Sequence, residues 1–339
     1  MKQYKVGLVG IGAVGTEMIK VLRQRKFPCS EIRVLATRER DEVIAGETFH
    51  VLPTTADAFD GLDIVLFAGT EGSKGASKQW GWEAVKHGAI AIDNGDDFRM
   101  DERVPLVIPE INPEALDHHQ GLIANPNCST IITLMGIAPL HNVIPMRHMT
   151  AVTFQSVSGA GRAAIAELTA QLKAIGQDRP IDPPAAFPYQ IACNVLPQIG
   201  SLKKEMPGYT SEEAKMTFES RKILGIPDLK ISTTCVRVPV FYAHSVAVHA
   251  EFTKPMTPEM ARDILSKTEG VEVVDDMDNK KYPMPLFAGG GDKVQVGRIR
   301  EDPSVENGLA LFCCGDNIRK GASQNAVQIA ETLIKRGLI

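Results

Sequence analysis

Short apolar runs alternate along the first third of the chain with segments whose apolar residues recur at helical spacing. Residues 4–10 (YKVGLVG) form the first run and end on glycine. From Val14 to about Arg25, Met18, Ile19 and Leu22 fall on one face, which predicts an amphipathic helix. Residues 31–37, 63–68 and 89–93 predict further strands, and residues 80–87 a helix. Strands alternating with helices at this spacing predict a parallel, doubly wound sheet with right-handed crossovers.

Beyond about residue 130 the texture changes. A helical apolar run covers 130–140, and strand-like runs at 149–156, 230–238, 241–252, 293–300 and 309–314 are joined by longer connections. Residues 179–207 carry several prolines and an FPYQI stretch, and read as an ordered loop. Residues 317–336 return to helical periodicity through Ile318, Ala322, Ala326, Ile329 and Leu333. The expected fold is therefore α/β: a doubly wound Rossmann-type dinucleotide-binding domain plus an α+β domain with a mixed, largely antiparallel sheet.

Composition narrows the class. At 339 residues the chain has room for two domains, and 44% apolar with 23% charged residues is ordinary for a globular protein. Lys and Arg total 37 against 41 Asp and Glu, a net charge of −4, which argues against a nucleic-acid partner. No apolar stretch is long enough for a membrane span, and the opening residues lack a signal-peptide pattern. These features lead us to expect a cytoplasmic enzyme. The cysteines at 29, 128, 193, 235, 313 and 314 form no C-x-x-C and lie at no metal-ligand spacing, so no metal is expected. Cys313 and Cys314 sit in an apolar run and read as small core residues.

Gly10-Ile11-Gly12-Ala13-Val14-Gly15 is a G-x-G-x-x-G that closes the first strand and opens the first helix. Glycines there permit a tight turn and close approach to a pyrophosphate, which the helix N-terminus attracts. The ribose-reading position lies at the end of the second strand, where Thr37 and Arg38 stand with Glu39 and Arg40. A hydroxyl followed by arginine suits the 2′-phosphate of NADP, whereas Glu39 speaks for NAD and the whole set also fits a solvated turn. Cys128 follows a polar, proline-containing loop and precedes an apolar helical run. A helix start stabilises a thiolate, and its N–H groups hold an oxyanion formed on an attacked carbonyl. Core placement remains the competing reading for this cysteine.

Residues 125–131 (NPNCSTI) resemble the active-site segment of the aspartate-β-semialdehyde dehydrogenase family. The resemblance continues through 154–161 (FQSVSGAG), 188–200 (PYQIACNVLPQIG), 212–225 (EEAKMTFESRKILG), 237–244 (RVPVFYAH), 296–302 (VGRIRED) and 316–330 (DNIRKGASQNAVQIA). It spans nearly the whole chain in order. It implies that Cys128 is the acylated nucleophile, that Gln155 orients the substrate and that His244 is the acid/base. Arg237 corresponds to the clamp on the substrate α-carboxylate, and Glu212 to the partner of the α-amino group. Lys215 and Arg99 correspond to phosphate ligands, although Glu212 and Lys215 on their own read as a surface ion pair. Ser158, Gly159 and Asn317 match positions near the nicotinamide of the cofactor. In the glycine loop the family reads G-x-x-G-x-x-G, and this chain has one residue fewer between Gly10 and Gly12.

The implied reaction is reversible, NADPH-dependent conversion of L-4-aspartyl phosphate into L-aspartate 4-semialdehyde through a cysteine thioester. That step serves lysine, diaminopimelate, threonine, isoleucine and methionine biosynthesis. The resemblance also implies a homodimer formed by the second domain. It places residues 1–128 in the dinucleotide-binding domain, completed by a helix over 318–339, and residues 129–317 in the catalytic and dimerisation domain. Two alternatives stand beside it: an N-acetyl-γ-glutamyl-phosphate reductase-like enzyme, and a non-catalytic NADPH-binding regulatory protein.

Overall fold

A computed structural model describes residues 2–69 and 75–339. The chain divides into two compact units, 1–127 with 322–339 and 128–321.

In the first unit, β1 (Tyr4–Val9) leads into α1 (Ala13–Gln24), followed by β2 (Cys29–Ala36), the hairpin β3 (Arg40–Ile44) and β4 (Glu47–Pro53), and β5 (Ile64–Phe67). Then come α2 (Ala76–Lys86), β6 (Ile90–Asp93) and β7 (Leu122–Ala124). The seven strands lie in the order β3-β4-β2-β1-β5-β6-β7. β1 pairs in parallel with β2 on one side and β5 on the other. The chain order thus reverses at β1, where a doubly wound sheet opens a crevice for a ligand. Val6, Leu8, Ile64, Leu66 and Ile92 from the strands pack with Met18, Ile19 and Leu22 of α1. Ala326, Val327, Ile329, Ala330 and Leu333 complete the same core from the last helix of the chain, α8. That helix runs Gln324–Arg336 and follows a π-type turn, Arg319–Ser323.

The second unit opens with α3 (Cys128–Val143), buried from Ser129 to Ala138 and exposed at its last two residues. It continues through β8 (Met146–Gln155), a 3-10 turn (Val157–Ala160), α4 (Arg162–Gly176), α5 (Ser211–Leu224), β9 (Lys230–Arg237) and β10 (His244–Phe252). The rest comprises α6 (Pro258–Ser266), β11 (Val271–Val273), α7 (Pro285–Ala288), β12 (Val294–Asp302) and β13 (Gly308–Gly315). The sheet order is β11-β12-β13-β10-β8-β9. β10 pairs antiparallel with β13 and β8, and β12 antiparallel with β13, while β8–β9 and β11–β12 are parallel. The sheet is mixed and largely antiparallel, as the sequence predicts. Alternation along β8 buries Met149, Ala151, Thr153 and Gln155 on the helical side.

The sequence leaves unassigned the short β7, β11 and α7, the β3–β4 hairpin and the helices α4, α5 and α6, of which α4 runs 15 residues with Ala164, Leu168, Gln171 and Ala174 buried. The β3–β4 hairpin has an exposed, charged face, and α5 begins with three polar residues held by a capping box between Thr210 and Glu213. Residues 179–207 form no helix, in line with their prolines.

Candidate active site

In the first unit the glycine loop has the geometry its sequence requires. Gly10 has φ +95°, a left-handed conformation suited to glycine. A Cβ on Gly15 would stand 2.0 Å from the Gly10 carbonyl oxygen, so the turn closes only with hydrogen there. A Cβ on Gly12 would meet nothing within 4 Å, which leaves clear space over the start of α1. Ala13 and Val14 form the first helical residues and are half-buried. This loop at the β1 crevice fits a dinucleotide pyrophosphate.

Thr37 and Arg38 follow β2 and are exposed. Their charged neighbours are engaged: Glu39 with His50 at 3.1 Å, and Arg40 with Glu42 at 2.9 Å. The residue that argued for NAD is therefore turned toward a histidine. Arg99 is buried beyond β6, its Nε donating to the Asn125 carbonyl at 3.0 Å and Nη2 to that of Asn94 at 2.9 Å.

The second unit gathers Cys128, Gln155, Ser158, Gly159, Glu212, Lys215, Arg237, His244 and Asn317. Cys128 is the first residue of α3, half-buried, with its Cβ against the backbone of Gly321. A Cβ on Gly321 would lie 2.9 Å from it, so glycine at 321 makes room for the cysteine. The parallel register of β8 and β9 sets Gln155 directly beside Arg237, both at strand ends. Gln155 Oε1 accepts from Thr153 Oγ1 at 3.0 Å, and its Nε2 donates to Glu212 Oε1 at 3.1 Å. Glu212 is 8% exposed in the first turn of α5, and Lys215 Nζ lies 3.8 Å from its other oxygen. The pair that reads as a surface ion pair from spacing is thus largely withdrawn from water.

Arg237 is 7% exposed and donates from Nη1 to the Ser156 carbonyl at 2.7 Å. Burial draws its guanidinium below the ordinary arginine range, while the nearby charges of Glu212 and Cys128 act in the opposite sense. His244 is fully buried at the start of β10. Ser156 N–H donates to its Nδ1 at 3.0 Å, with Ser156 Oγ at the same distance. Its Nε2 has no hydrogen-bond partner among the described residues. Burial, and after it the Arg237 cation, holds this imidazole well below the ordinary histidine range, so it is neutral at pH 7. A Cβ on Gly159 would meet Arg237 Nη1 at 3.0 Å and His244 Nε2 at 3.2 Å, so both groups border one space.

Asn317 Oδ1 accepts from Ser158 Oγ and Ala243 N–H, each at 3.1 Å, and lies 3.0 Å from Ser156 Oγ. Sequence reasoning overlooked Ser156, whose hydroxyl meets His244 only once β8 and β10 are paired, and Thr153, which meets Gln155 along β8 itself. The other buried thiols are poor nucleophiles. Burial pushes Cys235 and Cys313 well up, and Cys314 up to about 12. Among the described residues no cluster of His, Cys, Asp or Glu is arranged to hold a metal ion, and no helix is long and apolar enough to cross a membrane.

A thiol at a helix start, a buried arginine, a half-buried lysine, a buried carboxylate–amide pair and an imidazole with one open nitrogen suit acyl transfer on an anionic substrate. Comparison with known proteins agrees. The family model for the semialdehyde dehydrogenase NAD binding domain matches residues 5–119, and that for the semialdehyde dehydrogenase dimerisation domain matches 137–320. The chain is 45% identical to an aspartate-semialdehyde dehydrogenase of Synechocystis sp., covering 98% of both chains, and 44% identical to that of Aquifex aeolicus, covering 99% of both. A crystal structure of aspartate semialdehyde dehydrogenase II from Vibrio cholerae superposes with a TM-score of 0.92 at 40% identity, over 98% of this chain and 99% of that one. The same Vibrio enzyme has been solved in complex with ASA, with a TM-score of 0.92 at 39% identity over 99% of each chain. The chain belongs to the aspartate-semialdehyde dehydrogenase family.

Proposed function

We propose that this chain reduces L-4-aspartyl phosphate to L-aspartate 4-semialdehyde, reversibly, with NADPH and through a thioester on Cys128. The observation that carries the reading is the pocket of the second unit. There the thiol at the start of α3 acts on Arg237, which borders one space with the open Nε2 of His244, while Gln155, beside Arg237 in register, holds Glu212. Arg237 takes the α-carboxylate, a planar ligand that matches a guanidinium fork. Glu212, fixed by Gln155, takes the α-ammonium group. The Cys128 thiolate attacks the acyl carbon, and the acyl–oxygen bond breaks as phosphate leaves. Lys215, beside Glu212 on α5, is the cation of this unit that we assign to that phosphate. When bound, NADPH supplies the hydride that reduces the thioester carbon. His244 then faces the oxygen of the tetrahedral adduct, the C–S bond breaks, and Cys128 returns as thiolate.

The cofactor assignment rests on the glycine loop and on Arg38, whose guanidinium is exposed beside the ribose-reading position while Glu39 is paired with His50. Thr37 adds a hydroxyl there, and Ser158, Gly159 and Asn317 would border the nicotinamide. Homodimer formation is supported by the family's dimerisation domain and by the face of the six-stranded sheet opposite the buried side of β8. There Phe154, 38% exposed, packs its ring 6.3 Å from that of Phe312, beside the half-buried Val152 and Ala247. Aromatic groups on an accessible sheet face suit a protein contact. We place the protein in the cytoplasm, with no membrane or nucleic-acid partner.

An N-acylated glutamyl substrate would give Glu212 no ammonium group to meet, which disfavours the reductase alternative. A regulatory protein without turnover has no use for a buried Cys–His–Arg pocket. The test is phosphate-dependent NADP reduction with aspartate semialdehyde. We expect turnover that Cys128→Ser lowers by at least about 10³-fold. Turnover with N-acetylglutamate semialdehyde instead, or none with either aldehyde, would overturn the proposal.

A further inference from the structure

The Nδ1 edge of His244 is held in a way that the reaction scheme alone does not require. Ser156 contributes twice to that edge, through its backbone N–H and its hydroxyl, each 3.0 Å from Nδ1. The hydroxyl also lies 3.0 Å from Ser158 Oγ and from Asn317 Oδ1; with its one proton turned to Nδ1, Asn317 Oδ1 is left to its other two donors. Ser158 Oγ and Ala243 N–H donate to that oxygen, so one side-chain carbonyl ties the turn after the strand and the start of β10 together. A backbone N–H is a donor only, and an imidazole nitrogen facing it must therefore be the acceptor. The single proton of the neutral ring then sits on Nε2, the nitrogen that faces the pocket without a partner.

We propose that His244 acts as a neutral Nε2–H hydrogen-bond donor to the oxygen of the thioester and its tetrahedral adduct, and that Ser156 is the positioning residue that holds it in that form. This rests on the reading of the pocket given above. In that role the Nε2–H bond does not break. The oxygen takes the hydrogen bond as negative charge grows on it during hydride addition. It releases the bond when the C=O re-forms and the C–S electron pair returns to sulfur. Electrostatic stabilisation of this kind needs a fixed donor and no net proton transfer to the imidazole. The charged and titratable groups around the pocket are Arg237 from β9, Glu212 and Lys215 from α5, and Cys128 from α3. Among these, Arg237 acts directly on the ring and opposes a second proton on it. A proton on Nδ1 would in addition face the Ser156 N–H. Burial and the Arg237 charge thus keep the ring neutral against a smaller opposing contribution from the Ala243 backbone.

The test is ¹⁵N NMR of histidine-labelled full-length protein, joined to the kinetics of Ser156→Ala and Ser156→Thr. We expect His244 to show a protonated Nε2 and an unprotonated Nδ1 at pH 7. We expect kcat/KM to have no limb from this histidine between about pH 6 and 8. Ser156→Ala should lower kcat about fivefold with little change in KM, and Ser156→Thr should restore it. An Nδ1-protonated ring in the unmodified protein would overturn the proposal, whether or not the alanine variant folds. So would an alanine variant with unchanged kcat. Because the NMR signature is independent of turnover, either result leaves the assay for the overall reaction to stand or fall separately.

Discussion

The cofactor end of the first unit and the pocket of the second handle charge in opposite ways. At the end of β2, Thr37 and Arg38 project into solvent, where an ionic contact is screened and weak. In the pocket, Gln155, Glu212, Arg237 and His244 are all at most 8% exposed, and each is tied to another of them or to backbone, His244 through Nδ1 with Nε2 left open. A screened arginine is enough to favour one dinucleotide over another. A site that must orient a small dianion and polarise its carbonyl needs donors fixed in advance, which burial and mutual hydrogen bonding provide. The contrast also has a cost: the buried groups have lost hydration that only the substrate can replace.

The sharpest way to break this contrast is Arg237→Lys. A lysine keeps the charge but loses the planar fork and the Nη1 bond to the Ser156 carbonyl. We expect kcat/KM for the semialdehyde to fall by about 10²-fold or more, and a loss under about threefold would mean that charge alone matters there. Gly159→Ala comes next. Its Cβ would stand 3.0 Å from Arg237 and 3.2 Å from His244, so kcat should fall about tenfold or more, while urea unfolding shifts little. At the exposed end, Arg38→Ala should raise the KM for NADPH about tenfold at low salt, and by less as ionic strength rises. The same substitution should leave KM for NADH unchanged. A variant that keeps its NADPH preference would remove Arg38 from the 2′-phosphate site.

Asp93, at the end of β6, carries the burial argument into the first unit. Its Oδ1 accepts the Gly95 N–H at 2.7 Å, and its Oδ2 has no hydrogen-bond partner among the described residues. Burial pushes this carboxyl up to about 6, well above its ordinary value of 3.8. The folded chain therefore binds more protons than the unfolded one between those values. This group's contribution to stability is full below about pH 4 and is lost as pH rises through 6. Asp93→Asn should raise stability at pH 8 by up to about 3 kcal/mol and change it little at pH 4, as read by urea unfolding at both pH values. A variant equally destabilised at both would show that the carboxylate has a partner worth keeping.

Much of the fold is written in periodicity. Alternating apolar runs and the glycine turn specify the parallel sheet, because strands buried on both faces leave no room for polar residues. The mixed sheet is legible as strand-like runs in β8, β9, β10, β12 and β13, while the β3–β4 hairpin and α5 escape because their apolar signal is thin. The pocket is another matter. Cys128 declares itself by a polar loop before an apolar helix, but Gln155, Glu212 and Arg237 carry no local mark. Their meaning arises from register: the β8–β9 pairing sets Gln155 beside Arg237, some eighty residues away in sequence. Only the family resemblance reached them from the sequence. Ser156 was reached by neither route, since a serine at a strand end is indistinguishable from any other until its hydroxyl meets His244.

The central claim is covalent chemistry on one sulfur. The direct measurement is peptide mass spectrometry of the full-length protein quenched in acid after mixing with L-4-aspartyl phosphate in the absence of NADPH. The account predicts an aspartyl adduct on the peptide that carries Cys128, absent from Cys128→Ser and from every peptide holding Cys29, Cys193, Cys235, Cys313 or Cys314. An adduct on another cysteine, or full turnover with no adduct on Cys128, would contradict it.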